Sequence, residues 1–96
     1  MYAVVAKWVL EPGTIDQAYE IVRTVLEPRF GTWPDFRGYY DIKTSDTTAI
    51  VVIFYDTQPA DTVLQERLAA ARAEVADYVV SAEFLGRGEV VRELRP

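Results

Sequence analysis

Two stretches of the chain are apolar on both sides of a strand. Residues 2–10 and 47–55 are rich in β-branched and aromatic side chains, which is typical of strands. In the second stretch Ile50 and Val52 point to one side and Val51 and Ile53 to the other. Strands that are apolar on both faces are covered on both faces. The sequence therefore predicts two interior strands of one sheet, with Lys7 as the only break in the apolar pattern.

The segment between these strands has a helical period. The turn Glu11-Pro12-Gly13 precedes Thr14, which is followed at Gln17 by the fourth residue of a capping box. Apolar side chains then recur three and four residues apart, which predicts a helix with one face against the sheet. These side chains are Ile15, Ala18, Tyr19, Val22, Val25 and Leu26. Pro28 removes a backbone donor, so we expect the helix to end near it.

The second half of the chain repeats this alternation. Residues 29–36 form a loop with three aromatic side chains, residues 37–43 form a strand, and the short turn at 44–46 predicts an antiparallel hairpin. A second helix begins between residues 58 and 62, with Thr62 and Gln65 in capping-box spacing. Its core side chains are Leu64, Leu68, Ala71, Val75 and either Tyr78 or Val79; its solvated face carries Glu66, Arg67, Arg72, Glu74 and Asp77. A last strand, 82–94, contains Gly86 and Gly88, which suggest a bulge or a close approach.

The element order β-α-β-β-α-β predicts an α+β fold in a single domain, residues 1–96. With right-handed crossovers it is a ferredoxin-like sandwich: a four-stranded antiparallel sheet with two helices on one face. The other face would leave roughly four or five apolar side chains in water, at about 1.5 to 3 kcal/mol each. That loss, on the order of 10 kcal/mol, rivals the net stability of a domain. We therefore predict a homodimer whose sheets face one another. The alternative is a monomer with an exposed sheet, as in RNA-binding modules, but the basic stacking motif of those modules is missing.

Composition narrows the function classes. Half of the 96 residues are hydrophobic, and no apolar run is long enough to span a membrane, so we expect a cytoplasmic protein with no membrane partner. The net charge of −5 argues against a nucleic-acid partner. The chain has neither cysteine nor histidine. Thiolate nucleophiles, disulfides and cysteine-ligated metals are therefore excluded, and so are histidine catalysis and the usual proximal haem ligand.

Several motifs resemble the antibiotic biosynthesis monooxygenase-like group of the dimeric α+β barrel superfamily. They are E-P-G-T before the first helix, P-D-F-R-G-Y-Y at residues 34–40, the strand T-A-I-V-V-I-F-Y-D, and G-E-V-V-R near the end of the chain. The resemblance covers nearly the whole chain and implies a dimeric α+β barrel with a pocket between the sheet and its helices. Members include small oxygenases that need no metal or prosthetic group, and haem-degrading enzymes that use a histidine. Since histidine is absent, the resemblance implies no cofactor. Tyr55 stands where many relatives have a tryptophan.

Three aromatic side chains are candidates for binding a planar substrate in such a pocket. Trp8 could stack on a polycyclic ring, or it could belong to the core. Trp33 could form a lid over the cleft or a hydrophobic plug. Tyr39 could donate its phenol to a substrate oxygen, and because Tyr39 and Tyr40 point in opposite directions, at least one of the two faces the dimer interface.

Four polar side chains are further candidates. Arg37 and Tyr55 could stabilise oxyanion charge, although an exposed ion pair is the simpler role for Arg37. Asp41 could act as a general base if it is buried. Lys7 interrupts an apolar strand, so it either lines the cavity and contacts substrate or extends to the edge of the sheet. No metal ligand set is predicted.

The leading hypothesis is a cofactor-independent monooxygenase acting on a phenolic or polyketide-like aromatic substrate. The deprotonated substrate, an enolate or phenolate, would reduce dioxygen directly inside a dry aromatic pocket. The same pocket could serve an isomerase or cyclase, since enolisation needs no oxygen. A third hypothesis is a non-catalytic small-molecule-binding or assembly dimer, which a chain without a cavity would favour.

Overall fold

The two central strands of the sheet are the two that the sequence marks as apolar on both faces. A computed structural model describes all 96 residues. The strands are β1 (Tyr2–Leu10), β2 (Phe36–Lys43), β3 (Thr48–Tyr55) and β4 (Val79–Glu89). They form one antiparallel sheet in the order β2-β3-β1-β4, so β1 and β3 are interior. The predicted ferredoxin-like α+β fold is confirmed.

The helices cover one face of this sheet. They are α1 (Ile15–Ile21), a π-helical stretch (Val22–Leu26), α2 (Glu27–Phe30) and α3 (Asp61–Glu74). The core divides into two clusters on that face. Val4, Tyr55 and Leu64 meet near one end, and Leu10, Ile15, Ala18 and Val75 meet near the other. None of the helices is long and apolar enough to cross a membrane.

The first helical segment ends near Pro28, as predicted, but it continues through the proline to Phe30. The turns before the proline are wound as a π-helix, in which the Glu27 N–H donates to the Val22 carbonyl five residues back. In an α-helix the proline ring would clash with the carbonyl four residues earlier. Wider turns relieve that clash. The segment therefore reaches Phe30, whose ring is buried in the core.

The two predicted capping boxes do not form. The Thr14 hydroxyl donates to the carbonyl of Glu11 (2.7 Å) instead of accepting from the helix. The helix α3 begins at Asp61 after Ala60, which places Thr62 inside it. The local sequence therefore predicted both helix starts to within a few residues, but it did not predict the hydrogen bonds at those starts.

The last strand is shifted toward the N-terminus relative to the predicted range of 82–94. It spans Val79–Glu89 because β1 begins at Tyr2 and offers no partner beyond that point. One further hydrogen bond joins the Val90 N–H to the Met1 carbonyl (2.8 Å). The predicted bulge is present at Leu85, next to Gly86. The space that a side chain at Gly86 or Gly88 would occupy is open, with no atom of another residue within 4 Å beyond their chain neighbours.

The opposite face of the sheet carries no helix. Its side chains are mostly apolar, as predicted, and several are well exposed, including Tyr40 at 64% and Ile42 at 48%. The side chains of this open face are those of Ala3, Val5, Lys7, Val9, Tyr40, Ile42, Thr48, Ile50, Val52, Phe54, Ser81 and Glu83.

Candidate active site

An apolar cavity lies between the sheet and the helices. Its volume is about 90 Å³, and 20 of its 22 lining residues are hydrophobic, so a ligand there would be shielded from water. Trp8, Val51 and Ile53 of the sheet form its floor, and Leu68 and Phe84 are among the other lining side chains. One ordered water needs roughly 10–15 Å³ of such volume. The cavity therefore exceeds the few-water limit at which the non-catalytic, cavity-free hypothesis would be favoured.

Asp41 is a carboxylate on the wall of this apolar space. Alternation along β2 places Tyr39 and Asp41 on the helix side of the sheet, and the Tyr39 hydroxyl donates to Asp41 Oδ2 (2.8 Å). Burial raises the pKa of the Asp41 carboxyl, an effect that the neighbouring phenols of Tyr39 and Tyr19 partly offset and that Glu27 strengthens. A carboxylate in this environment is a stronger base than one in water.

Tyr19 approaches the same carboxylate from α1. Its hydroxyl and Asp41 Oδ1 are both buried, and neither meets a partner in good hydrogen-bond geometry. The two groups are nevertheless close enough that the Tyr19 phenol lowers the pKa of Asp41 and Asp41 raises that of Tyr19. Burial, followed by the negative charge of Asp41, raises the pKa of Tyr19 to about 12, so this phenol stays protonated at neutral pH and can donate a hydrogen bond. Buried polar atoms are rarely left unpaired. This end of the cavity thus presents one free donor beside one free acceptor.

Arg67 of α3 forms the second polar end of the cavity. Its guanidinium lies 4.0 Å from the centre of the Trp33 ring and 5.2 Å from that of Tyr55. Two hydrogen bonds of 3.3 Å each join it to the carboxylate of Asp35. Burial raises the pKa of Tyr55, and Arg67 partly offsets this. Held by an ion pair and two rings, Arg67 presents fixed positive charge to the cavity.

Aromatic rings separate these two ends. Phe30 lies 4.9 Å from Trp33 and 5.1 Å from Tyr39, between ring centres, and Trp33 stacks on Tyr55 at 6.4 Å. Asp41 pairs with Val51 on β3, four residues before Tyr55. At the rise of a strand this is about 13 Å. The site therefore has a base at one end, a cation at the other, and flat apolar walls between them.

A second, outer cavity of about 250 Å³ adjoins the first between α2 and α3. The two share the side chains of Leu26, Phe30, Trp33, Arg67 and Ala71. An ion pair between Arg29 and Glu74 (2.6 Å) crosses the gap. The outer cavity is therefore the side from which a ligand would approach the inner one.

Five of the seven predicted site residues line the inner cavity: Trp8, Trp33, Tyr39, Asp41 and Tyr55. Arg67 and Tyr19 are not among the predicted site residues. The charge pattern of the second helix places Arg67 on the solvated face. The helical period places Tyr19 in the core and gives it no other role. Arg67 follows Leu64 by three residues and precedes Ala71 by four, which puts all three on one helix face. That spacing is the signal that could have identified it.

Lys7 and Arg37 lie outside the cavity, so their predicted contacts with substrate there are corrected. Lys7 alternates with Ala6 and Trp8 and therefore points to the open face of the sheet. Arg37 is the additional residue where the β2–β3 register shifts, and it forms a half-exposed ion pair with Asp56. No three carboxylates come together in an arrangement that could hold a metal ion.

Comparison with known proteins identifies the fold but no sequence family. No family model matches the chain, and no curated protein sequence does. A candidate antibiotic biosynthesis monooxygenase from Nitrosomonas europaea superposes with a TM-score of 0.74 at 13% identity, over 96% of this chain and 100% of that one. SnoaB, a cofactor-independent oxygenase from Streptomyces nogalater, gives 0.68 at 12% identity, over 99% and 97%. A protein of unknown function from Nitrosomonas europaea gives 0.72 at 17% identity, over 99% and 93%. The predicted ferredoxin-like α+β fold is therefore shared with these solved structures.

Proposed function

We propose that this protein is a cofactor-independent monooxygenase that acts on a phenolic or polyketide-like aromatic substrate through its enolate or phenolate. The observation that carries the proposal is Asp41, a carboxylate whose pKa is raised by burial in an otherwise apolar, aromatic-lined cavity. Perturbed carboxyls in clefts are candidates for general bases. The fold shared with an oxygenase that needs no cofactor supports the same reaction class.

In this reaction Asp41 removes a proton from the bound substrate. The resulting anion transfers electrons to dioxygen, and a carbon–oxygen bond forms. Loss of water then converts a ring CH₂ into a carbonyl, so one oxygen atom enters the product and the other leaves as water. Tyr39 holds the carboxylate in position through its hydrogen bond to Oδ2. The apolar walls exclude bulk water from the anion.

The other end of the cavity stabilises negative charge as it develops. Arg67 and the Tyr55 phenol are the two donors there, and they take the role that the sequence suggested for Arg37 and Tyr55. Trp8 and Trp33 line the space between the ends, where they can hold the flat ring system. Charge stabilisation of this kind in a dry site commonly lowers the activation barrier more than any other single effect.

The test is oxygen uptake with an anthrone as substrate, followed with an oxygen electrode. We expect Asp41→Asn to lower the rate by about 100-fold or more, because the amide cannot accept the proton. Asp46→Asn is the matched control, since Asp46 is 97% exposed in the β2–β3 turn, and it should retain the full rate.

Two other outcomes separate the rival functions. If the substrate rearranges without oxygen uptake, the same base serves an isomerase or cyclase. If the ring compound binds but is unchanged, the protein is a ligand-binding module. Either result would overturn the monooxygenase proposal.

The proposal includes a homodimer formed through the open face of the sheet. The central strands present Val5, Ile50, Val52 and Phe54 on that face, and β2 adds Tyr40. Covering these side chains with a second copy would remove their apolar surface from water. The same face also carries Lys7 and Glu83, which are paired across β1 and β4. The cavities lie on the opposite side of the sheet, so the dimer would leave the outer cavity between α2 and α3 open.

A further inference from the structure

The two unpaired polar atoms at the Asp41 end of the cavity lie on different elements that meet across it. Tyr19 comes from α1, just before the π-helical stretch, and Asp41 comes from β2. The second oxygen of Asp41 is already occupied by the Tyr39 hydroxyl at 2.8 Å. What remains is one acceptor, Asp41 Oδ1, beside one donor, the Tyr19 hydroxyl.

We propose that Tyr19 and Asp41 form a subsite for a hydroxyl group of the substrate. The substrate hydroxyl donates to Asp41 Oδ1 and accepts from the Tyr19 hydroxyl, so both unpaired atoms are satisfied by one oxygen. The subsite deepens the proposed function by naming the proton that Asp41 takes, which is that of a phenol or an enol. Binding of the hydroxyl does not depend on the proposed reaction; only this proton transfer rests on it. Tyr19 then donates to the oxyanion that is left.

Other polar groups fit this pair less well. A carbonyl could accept from Tyr19 but would leave Asp41 Oδ1 unpaired, at the cost of a buried polar group without a partner. A carboxylate would add negative charge where Glu27 already raises the pKa of Asp41. An ammonium could donate to Asp41 but could not accept from Tyr19. Of these groups, only a hydroxyl both donates and accepts through one atom, which favours a hydroxylated aromatic or its enol tautomer.

The test compares two ligands of the same shape, 1-naphthol and 1-methylnaphthalene. Binding is followed by NMR titration of the backbone amides, which also reports where each ligand sits. We expect Tyr19→Phe to weaken binding of 1-naphthol by about 10-fold, since it loses a hydrogen bond to a polarised oxygen. Binding of 1-methylnaphthalene should change by less than about twofold, because the phenyl ring still packs there.

Tyr40→Phe is the matched control. It removes the same hydroxyl from a tyrosine that is 64% exposed on the open face, and it should leave both affinities unchanged. Asp41→Asn should also weaken 1-naphthol selectively. Its amide spectrum should overlay that of the parent protein away from the cavity, which separates lost recognition from lost folding.

Three results would overturn the subsite. Tyr19→Phe could weaken both ligands equally, which would indicate a packing role. It could change neither, which would mean that Tyr19 and Asp41 pair only with each other. Finally, 1-naphthol could fail to bind the parent protein at all.

Failure of the subsite is distinguishable from failure of the oxygenase. If 1-naphthol is recognised through Tyr19 but no anthrone consumes oxygen, the subsite stands without the reaction. If Tyr19→Phe consumes oxygen at the parental rate and KM, the reaction stands and the subsite falls.

Discussion

At the scale of single residues, the buried carboxyl of Asp41 lowers the stability of the fold at neutral pH, although the proposed reaction needs it as a base. Its folded-state pKa is raised, so the folded chain binds the proton more tightly than the unfolded chain. The stability contributed by that proton is present below the unfolded value of about 3.9 and is lost as pH rises through the folded value. We therefore expect Asp41→Asn to be more stable than the parent protein at neutral pH, because the amide carries no charge that burial would penalise.

The measurement is urea unfolding of both proteins at neutral pH and again below about pH 3.9. The advantage of the variant should shrink on acidification, because the parent carboxyl is then protonated in both states. A variant that is less stable than the parent at neutral pH would contradict this account of Asp41. Asp46→Asn, an exposed carboxylate, should show no comparable gain.

The alternation of side chains between the two faces of a strand was predictable from the sequence. The choice of face and the register shifts that interrupt the alternation were not. A period of two correctly separated Tyr39, which lines the cavity, from Tyr40, which is on the open face. The same rule left two orientations open for Lys7, because nothing local says which face of β1 receives the helices. Arg37 escaped prediction for another reason: its register shift depends on how β2 pairs with β3.

At the scale of elements, boundaries depended on partners that sequence does not show. The final strand ends at Glu89 because β1 begins at Tyr2, although the apolar pattern continues beyond it. The first helix passes Pro28 because its turns widen into a π-helix and the buried Phe30 ring holds its end against the core. The existence and order of the strands and of the two main helical segments followed from periodicity together with the turn residues between them.

Arg67 of α3 contacts Trp33 and Asp35 in the loop before β2. Substituting Arg67 therefore tests how much this contact between helix and loop stabilises the fold. Arg67→Ala removes the guanidinium from the Trp33 ring and from Asp35. We expect a loss of about 1–2 kcal/mol in the free energy of unfolding, the sum of a partly buried cation–π contact and a weak ion pair. Urea unfolding measures this loss, and the tryptophan emission should shift to longer wavelength as Trp33 gains water.

Arg72→Ala is the control for this substitution. Arg72 lies on the same helix but is exposed and forms no ion pair, so its removal should change stability by less than about 0.5 kcal/mol. Equal losses in the two variants would mean that helix propensity, and not the contact with the loop, explains the effect.

At the scale of the whole molecule, the sheet has one face committed to the cavity and one face left open. The helices suffice to cover only the first, and this is why the site and the proposed dimer surface do not compete. Both roles of β3 follow from its two apolar sides: Val51 and Ile53 line the cavity, while Ile50 and Val52 face outward.

The proposed dimer predicts a mass twice that of one chain in light scattering at micromolar concentration. Val52→Lys places a charge in the middle of the open face, where burial without a partner is costly, so we expect this variant to be monomeric. Ala73→Lys, on the exposed side of α3, should remain dimeric. A parent protein that is monomeric at this concentration, or a Val52→Lys variant that stays dimeric, would contradict pairing through this face. Because Val52 points away from the cavity, its variant should keep ligand binding if the single chain contains the whole site.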